Sequence, residues 1–302
     1  LKMKTKKLFV LLTAAAMLTA MTACGGNNDS ASGSDAAASG GSDLGMISVV
    51  SREDGSGTRG AFIELMGVEE KDADGNKTDM TTADAIITNN TEVMMSTVAG
   101  DPASIGYVSL GSLNDQVKAL TVDGAEATAE NVKSGTYKVA RPFNIATKGE
   151  PTGVAKDFIN FILSADGQKI VSEDYITVDD QAAAFQTDGS TGKLVIGGSS
   201  SVTPLMEKLV EAYKAINAGA EIELQTSDST SGMTGTIEGT YDIGMASREM
   251  KEEELAELKG TVIAMDGIAV IVNNENPLTG LTSEQIGQIY KGEITDWSEV
   301  SE

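Results

Sequence analysis

From Met46 onward, apolar and polar positions follow two alternating rhythms. Short β-rich runs predict strands at "MISVV", "SIGYVSL", "VKALTV", "KLVIGG", "EIELQ" and "YDIGMA". Longer strands are expected at "YKVARPFNIAT" and "TVIAMDGIAVIVN". Between them, "TRGAFIELMG", "TEVMMSTVAG", "GVAKDFINFILSADG", "TPLMEKLVEAYKAIN", "TSGMTGTIEG" and "TSEQIGQIYKG" read as helices, with shorter ones at "TAENVKSG", "QKIVSED" and "KEEELAEL". Gly67 closes the first of them, and Val93, Met94 and Val98 make the apolar stripe of the second. Strands that alternate with helices argue for α/β layers with mostly parallel sheets.

Four stretches break the rhythm. Residues 1–23 hold Lys2, Lys4, Lys6 and Lys7, then an apolar run from Leu8 to Met21. That pattern is an export signal, too short for a comfortable membrane span. It ends in "LTAMTAC", which resembles the lipobox of bacterial lipoproteins and implies cleavage before Cys24 and a lipid on its sulfur. The alternative is a free or buried thiol after a plain signal peptide. Residues 24–43 then read as a flexible Gly/Ser/Ala/Asp tether. A polar stretch, "KDADGNKTDMTTAD", offers Asp72, Asp74 and Asn76 at calcium-loop spacing. Lys77 and Ala83 stand where that loop needs glycine and glutamate, so it reads as a surface loop and no metal site is expected. Residues 179–192, "DDQAAAFQTDGSTG", form a second linker-like joint.

Composition narrows the chemistry. The 302 residues suffice for one large or two ordinary domains, and 40% apolar content is that of a globular chain. Formal charge is -23; without residues 1–23, 18 basic side chains would face 45 acidic ones. Nucleic acid is therefore an unfavourable partner, and so is long-range steering of an anion. With no histidine and one cysteine, neither a Cys/His zinc centre nor a histidine-based nucleophile system can be built. No cofactor is expected.

Against that acidic background stands "SREDGSGTRGAF" at 51–62. Small residues expose backbone N–H groups, and at the head of a helix such groups bind anions. Two further strand-to-helix turns share the pattern, "GGSSSVTPLMEKL" at 197–209 and "TSDSTSGMTGTIEG" at 226–239. One turn of this kind is usually only a cap. Three, one of them carrying an arginine, point to a shared tetrahedral anion. Arg52 would supply a planar charge, and Asp54 could hold its guanidinium in place or form a surface pair worth little. Asp242, in "YDIGMASRE", is expected where a strand ends at the carboxyl edge of the sheet. There it would accept the proton of hydrogen phosphate and leave sulfate facing an unpaired charge. A turn or cap aspartate is the alternative.

"GSSSVTP", "TYDIGMASRE", "DGIAVIVNNENP", "LTSEQIGQIYKGEITDWSEV", "SREDGSGTR", "ASIGYVSL", "VARPFNIAT" and "FINFILSADGQ" together resemble the phosphate-binding proteins of bacterial phosphate ABC transporters, over nearly all of 46–302. The resemblance implies a two-lobed, periplasmic-binding-protein-like (type II) α/β fold. Each lobe would be a mixed, mostly parallel sheet flanked by helices, and two strands would form the hinge. It implies a monomeric, lipid-anchored, extracytoplasmic receptor, not an enzyme, that delivers inorganic phosphate to a membrane permease. The phosphate contacts it implies are Arg52, Ser56, Gly57, Thr58, Ser200, Ser201, Thr230, Ser231 and Asp242. Serine stands in the first motif where family members commonly carry threonine.

The order of motifs departs from the family. The "REDGSGTR" half leads and the "GSSSVTP" half follows, as in a circular permutation whose usual ends are joined through 179–192. One lobe would be contiguous over 141–271, and the other would combine 44–140 with 272–302. Domain termini often lie close together at a surface, so such a joint is physically permissible. Two other readings remain. One is a phosphate sensor or adhesion module without transport. The other is a secreted phosphate-ester or acyl-transfer enzyme, for which "STGK" at 190–193 is the sole motif.

Overall fold

A computed structural model describes residues 44–300. The expected signal peptide, Cys24 and the tether lie outside the described residues. The first half of the chain forms β1 (Ser48–Arg52), α1 (Gly57–Leu65), β2 (Glu69–Lys71), β3 (Lys77–Asp79), β4 (Ile86–Thr88), α2 (Thr91–Ala99), β5 (Ser104–Ser109), β6 (Val117–Ala119), β7 (Thr121–Val122), α3 (Ala129–Ser134) and β8 (Ala140–Thr147). There follow α4 (Gly153–Leu163), α5 (Ala165–Val171), β9 (Gly192–Ser199), α6 (Thr203–Ile216), β10 (Ala220–Ser227), α7 (Ser229–Glu238), β11 (Ile243–Ala246), α8 (Glu252–Leu255), β12 (Lys259–Asn273), β13 (Gly280–Leu281) and α9 (Ser283–Lys291).

Helix starts are set by side-chain caps that occupy the free N–H groups of the first turn. Ser56, Asn90, Asp228 and Thr282 accept from the backbone N–H three residues on. Asp72 accepts from the N–H groups of Asp74 and Asn76, so the acidic stretch is a turn closing the β2–β3 hairpin. The predicted helix "KEEELAEL" makes one turn only, because Leu258 is buried beside Ala146, Met233 and Ala246 and β12 begins at Lys259.

The strands β10-β9-β11-β8-β12-β5-β1-β4 form one continuous sheet, and β6 pairs with the end of β12. Pairing is parallel among β10, β9 and β11, and again among β5, β1 and β4. The centre is antiparallel, through β11–β8, β8–β12 and β12–β5, so the sheet is mixed rather than mostly parallel. The reason lies in β12. Its first part, from Lys259 to Gly267, pairs with β8, and its second, from Ile268 to Val272, pairs with β5.

That one strand also divides the core. Ile263 and Ala264 pack with Phe143, Phe158, Leu209 and Tyr213. Ile268 to Val272 pack instead with Phe62, Met94, Tyr107 and Tyr290. The change of core on β12 thus falls a few residues before the crossing expected at 271. Because the two parallel sets run in opposite senses, their carboxyl ends converge on the middle of β12. Ala246 at the end of β11 is level with Asn144, which pairs with Val262, and Ser109 at the end of β5 is level with Ile268.

Candidate anion-binding site

The loops that follow β1, β9, β10 and β11 meet at this convergence. From β1 come Arg52, Ser56 and Thr58; from β9 come Ser199, Ser200 and Ser201; Ser229 opens α7; Ser247 follows β11. All eight are buried. The loop after β4 adds buried Thr91 at the start of α2. The heads of α1, α2, α6 and α7 therefore point into one volume, and their aligned dipoles favour negative charge there.

The side chains interlock across the two cores. Arg52 Nη2 donates to Ser200 Oγ at 3.2 Å. Thr58 Oγ1 lies 2.8 Å from Ser201 Oγ and 3.5 Å from Ser247 Oγ. Thr91 Oγ1 lies 3.2 Å from Ser200 Oγ and 3.4 Å from Ser201 Oγ. Ser199 Oγ donates to Ser247 Oγ at 2.9 Å, and Ser247 N donates to Ser229 Oγ at 3.1 Å. Thr230 N reaches the Gly55 carbonyl at 3.1 Å, a backbone bond between the two sides. Approach this close needs glycine: a Cβ on Gly55 would sit 2.2 Å from Asp228 Oδ1, and one on Gly57 would sit 2.3 Å from Ser229 Oγ.

The charges are balanced locally. Arg52 is gripped through Nε and Nη2 by Glu53, each at 2.8 Å. Arg248, next to Ser247, donates to both carboxylate oxygens of Glu254 at 2.8 and 2.7 Å, and reaches Thr230 Oγ1 at 3.4 Å. Burial alone would raise the Glu254 carboxyl, but Arg248 and the Lys251 N–H hold it below its usual value. Beneath Arg52, the Tyr107 hydroxyl accepts from Arg52 N at 3.2 Å, and burial pushes its pKa up to about 12. Phe62 stacks on that ring at 4.0 Å, which fixes α1 against β5, the neighbour of the strand carrying Arg52.

Three sequence expectations are corrected. Asp242 lies ahead of β11, exposed, with its carboxylate 2.8 Å from Val195 N; the loop that joins the hydroxyl cluster leaves the other end of that strand. A proton carried by a bound anion is therefore out of its reach. Asp54, with a side chain 98% exposed, pairs with Arg59 at 2.8 Å, while Glu53 takes the place on Arg52. Ser231 is exposed and donates through its N–H and hydroxyl to Asp228, so it completes a cap rather than facing the cluster. Thr230 is half-buried at the border of the cluster.

Comparison with known proteins follows the same lines. A family model described as a PBP superfamily domain matches residues 28–166 and 183–302. A protein named Phosphate-binding protein PstS 2 from Streptococcus agalactiae serotype V is 50% identical over 287 residues, 94% of this chain and 98% of that one. The chain belongs to the PstS family of phosphate-binding proteins. A PstS 2 from Streptococcus pneumoniae serotype 4 is 41% identical over 99% of this chain and 100% of its own. The crystal structure of a phosphate-binding protein of a phosphate ABC transporter from Streptococcus pneumoniae TIGR4 is 43% identical, with a TM-score of 0.68 over 85% of this chain and all of that one. A PstS from Bacillus subtilis is 34% identical over 50% of this chain and 47% of its own.

Within this family member, sequence reasoning missed Thr91, Ser199, Ser229, Ser247 and Arg248. The signal for Thr91 was present: "AIIT" runs into "NNTE", a further strand that ends in a polar cap. Ser247 and Arg248 stand in "YDIGMASRE", where the aspartate is the more conspicuous partner for a protonated anion. The Ser190–Lys193 pattern forms no Ser–Lys pair: Lys193 is bound to Glu223 at 2.8 Å.

Proposed function

We propose that the chain is an extracytoplasmic receptor that binds inorganic phosphate between two lobes and hands it to an ABC permease for import. One observation carries this reading: buried hydroxyls and one guanidinium from both cores converge on the heads of four helices. Arg52, Ser56, Thr58, Thr91, Ser200, Ser201 and Ser247 are the assigned donors, with the backbone N–H groups around Gly57. Hydroxyls donate or accept as the ligand requires, so they suit a tetrahedral oxyanion with or without a proton. Local donors also suit a strongly acidic chain, because short hydrogen bonds do not depend on net charge.

The lobes of this proposal are the two cores, linked by β8 and β12. Phosphate shifts the pair toward closure because donors from both sides contact it only when they are together. Cys24 is assigned as the lipid-bearing residue, after export and cleavage, which keeps the receptor beside its permease. The relatives named for phosphate binding support the ligand, and their near full-length match supports this segment order as a property of their branch.

Calorimetric titration of the chain from Gly25 tests the reading. Tight binding of phosphate is expected, lost by at least tenfold in Ser200→Ala/Ser201→Ala. A cooperatively folded protein that takes up no phosphate would overturn it.

A further inference from the structure

Beside the anion cluster, one turn further along α1, runs a groove of about 860 Å³. Its floor is Arg141, Pro142 and Met265, on the two strands that join the cores. One wall is α1, through Ala61, Glu64 and Leu65; the other is the segment from Arg248 to Glu253. The walls thus belong to different cores, and their spacing depends on how those cores sit about β8 and β12.

Two surface properties of the groove stand out, above a floor closed by Arg141, which is only 2% exposed and gives Nε and Nη2 to Asp266. Leu65 is 41% exposed, and Met250 and Met265 are half-buried beside the groove. Lining the rim are Glu64, Glu69, Glu249, Glu252 and Glu253 against Lys77 and Lys251, with Lys77 already bound to Glu69 at 2.9 Å.

We infer that this groove docks an extracytoplasmic segment of the permease, one that carries basic and apolar side chains together. The inference rests on the receptor reading given above. An apolar side chain of the segment covers Leu65 and the methionines, and its Lys or Arg meets the glutamate rim. Because both cores supply a wall, the segment binds best at the wall spacing of the closed receptor. Linkage then makes phosphate and permease each favour the other, so a loaded receptor is told from an empty one without contact to the ligand.

The test is the triple variant Glu64→Lys/Glu252→Lys/Glu253→Lys, placed at the receptor's own locus in the source bacterium. Uptake of radiolabelled phosphate is expected to fall at least tenfold. Calorimetric phosphate affinity of the purified variant is expected within twofold of wild type. Glu207→Lys/Glu211→Lys, exposed on α6, should leave both unchanged. Unchanged uptake in the triple variant overturns the inference. If the triple variant binds phosphate poorly, Leu65→Ser decides: uptake retained with normal affinity overturns it. Wild-type sedimentation as a dimer that the triple variant abolishes also overturns it, since a second copy would then fill the groove. Failure of the wild type to bind phosphate strikes the receptor reading instead.

Discussion

Arg52 and Arg248 each arrive with a glutamate already attached, Glu53 and Glu254. The guanidiniums are therefore oriented and partly neutralised before any ligand comes. What remains for the anion is a set of hydroxyl and backbone donors at helix heads, and such donors act over a few ångströms only. Their spacing is what sets affinity, and Gly57 controls it. A Cβ there would meet Ser229 Oγ at 2.3 Å and Ser247 Oγ at 2.9 Å, both from the opposite core. Gly57 is the first residue of α1, where alanine gains at most the roughly 1 kcal/mol it holds over glycine in a helix interior. Gly57→Ala should therefore leave the melting temperature unchanged or raised while phosphate affinity falls at least tenfold, about 1.4 kcal/mol. Calorimetry beside a thermal melt checks it. Undiminished affinity would mean that the two sides bind the anion without approaching this closely.

Between single residues and the whole fold, the stretch 179–192 behaves unlike a linker. Phe185 packs on Phe161 at 5.2 Å, and its N–H donates to Asp166 at 2.7 Å. Buried Asp157 on α4 accepts from Thr187 Oγ1, Asp188 N and Tyr213 Oη at 2.7, 3.0 and 2.8 Å. Asp157→Ala would strand three donors and should cost about 3 kcal/mol. For a chain of this size that lowers the melting temperature by roughly 6–12 °C, without a change in phosphate affinity per folded molecule. A melt unchanged within 2–3 °C, about 1 kcal/mol, would show that the strap contributes little. The composition "DDQAAAFQTDGSTG" hid this role, because one aromatic ring, one hydroxyl and two backbone N–H groups do the anchoring, and their acceptors, Asp157 and Asp166, lie on α4 and α5. The same limit explains the rest. Strands and helices were legible wherever the period was clear, and so were the polar turns at helix heads. The antiparallel centre was not, since periodicity says nothing about which strand pairs with which. The run "YDIGMA" places Asp242 at the wrong end of β11 because alternation does not say where pairing starts; pairing starts at Ile243.

At the scale of the molecule, the two cores share one sheet and are joined through β12, whose buried Asp266 pairs across to Arg141 at the point where the cores change. Burial raises the Asp266 carboxyl and lowers the Arg141 guanidinium against their mutual attraction, so the crossing is held by an ion pair with little water to replace it. Near this sheet's other end lies the clue to the order of segments. Ile47 N donates to the Thr295 carbonyl at 2.8 Å and Trp297 N to the Gly45 carbonyl at 3.0 Å, so residues 45–47 run beside 295–297. A short Gly/Ser connector from Val300 to Leu44 would then restore the order the resemblance leads one to expect, with the chain opened between Gln181 and Ala182. Both positions lie ahead of the anchors at Phe185, Thr187 and Asp188, so the strap keeps its grip on Asp157. Topological relinking leaves every donor of the anion cluster on its own strand. The relinked chain should therefore fold cooperatively and bind phosphate within about threefold of the parent, a difference of roughly 0.7 kcal/mol. Calorimetry on the two chains decides. Equal affinity means that the site belongs to the assembled sheet and not to the order in which the chain visits it. A relinked chain that folds but has lost phosphate would mean that the parent order of segments is itself needed for the two cores to meet.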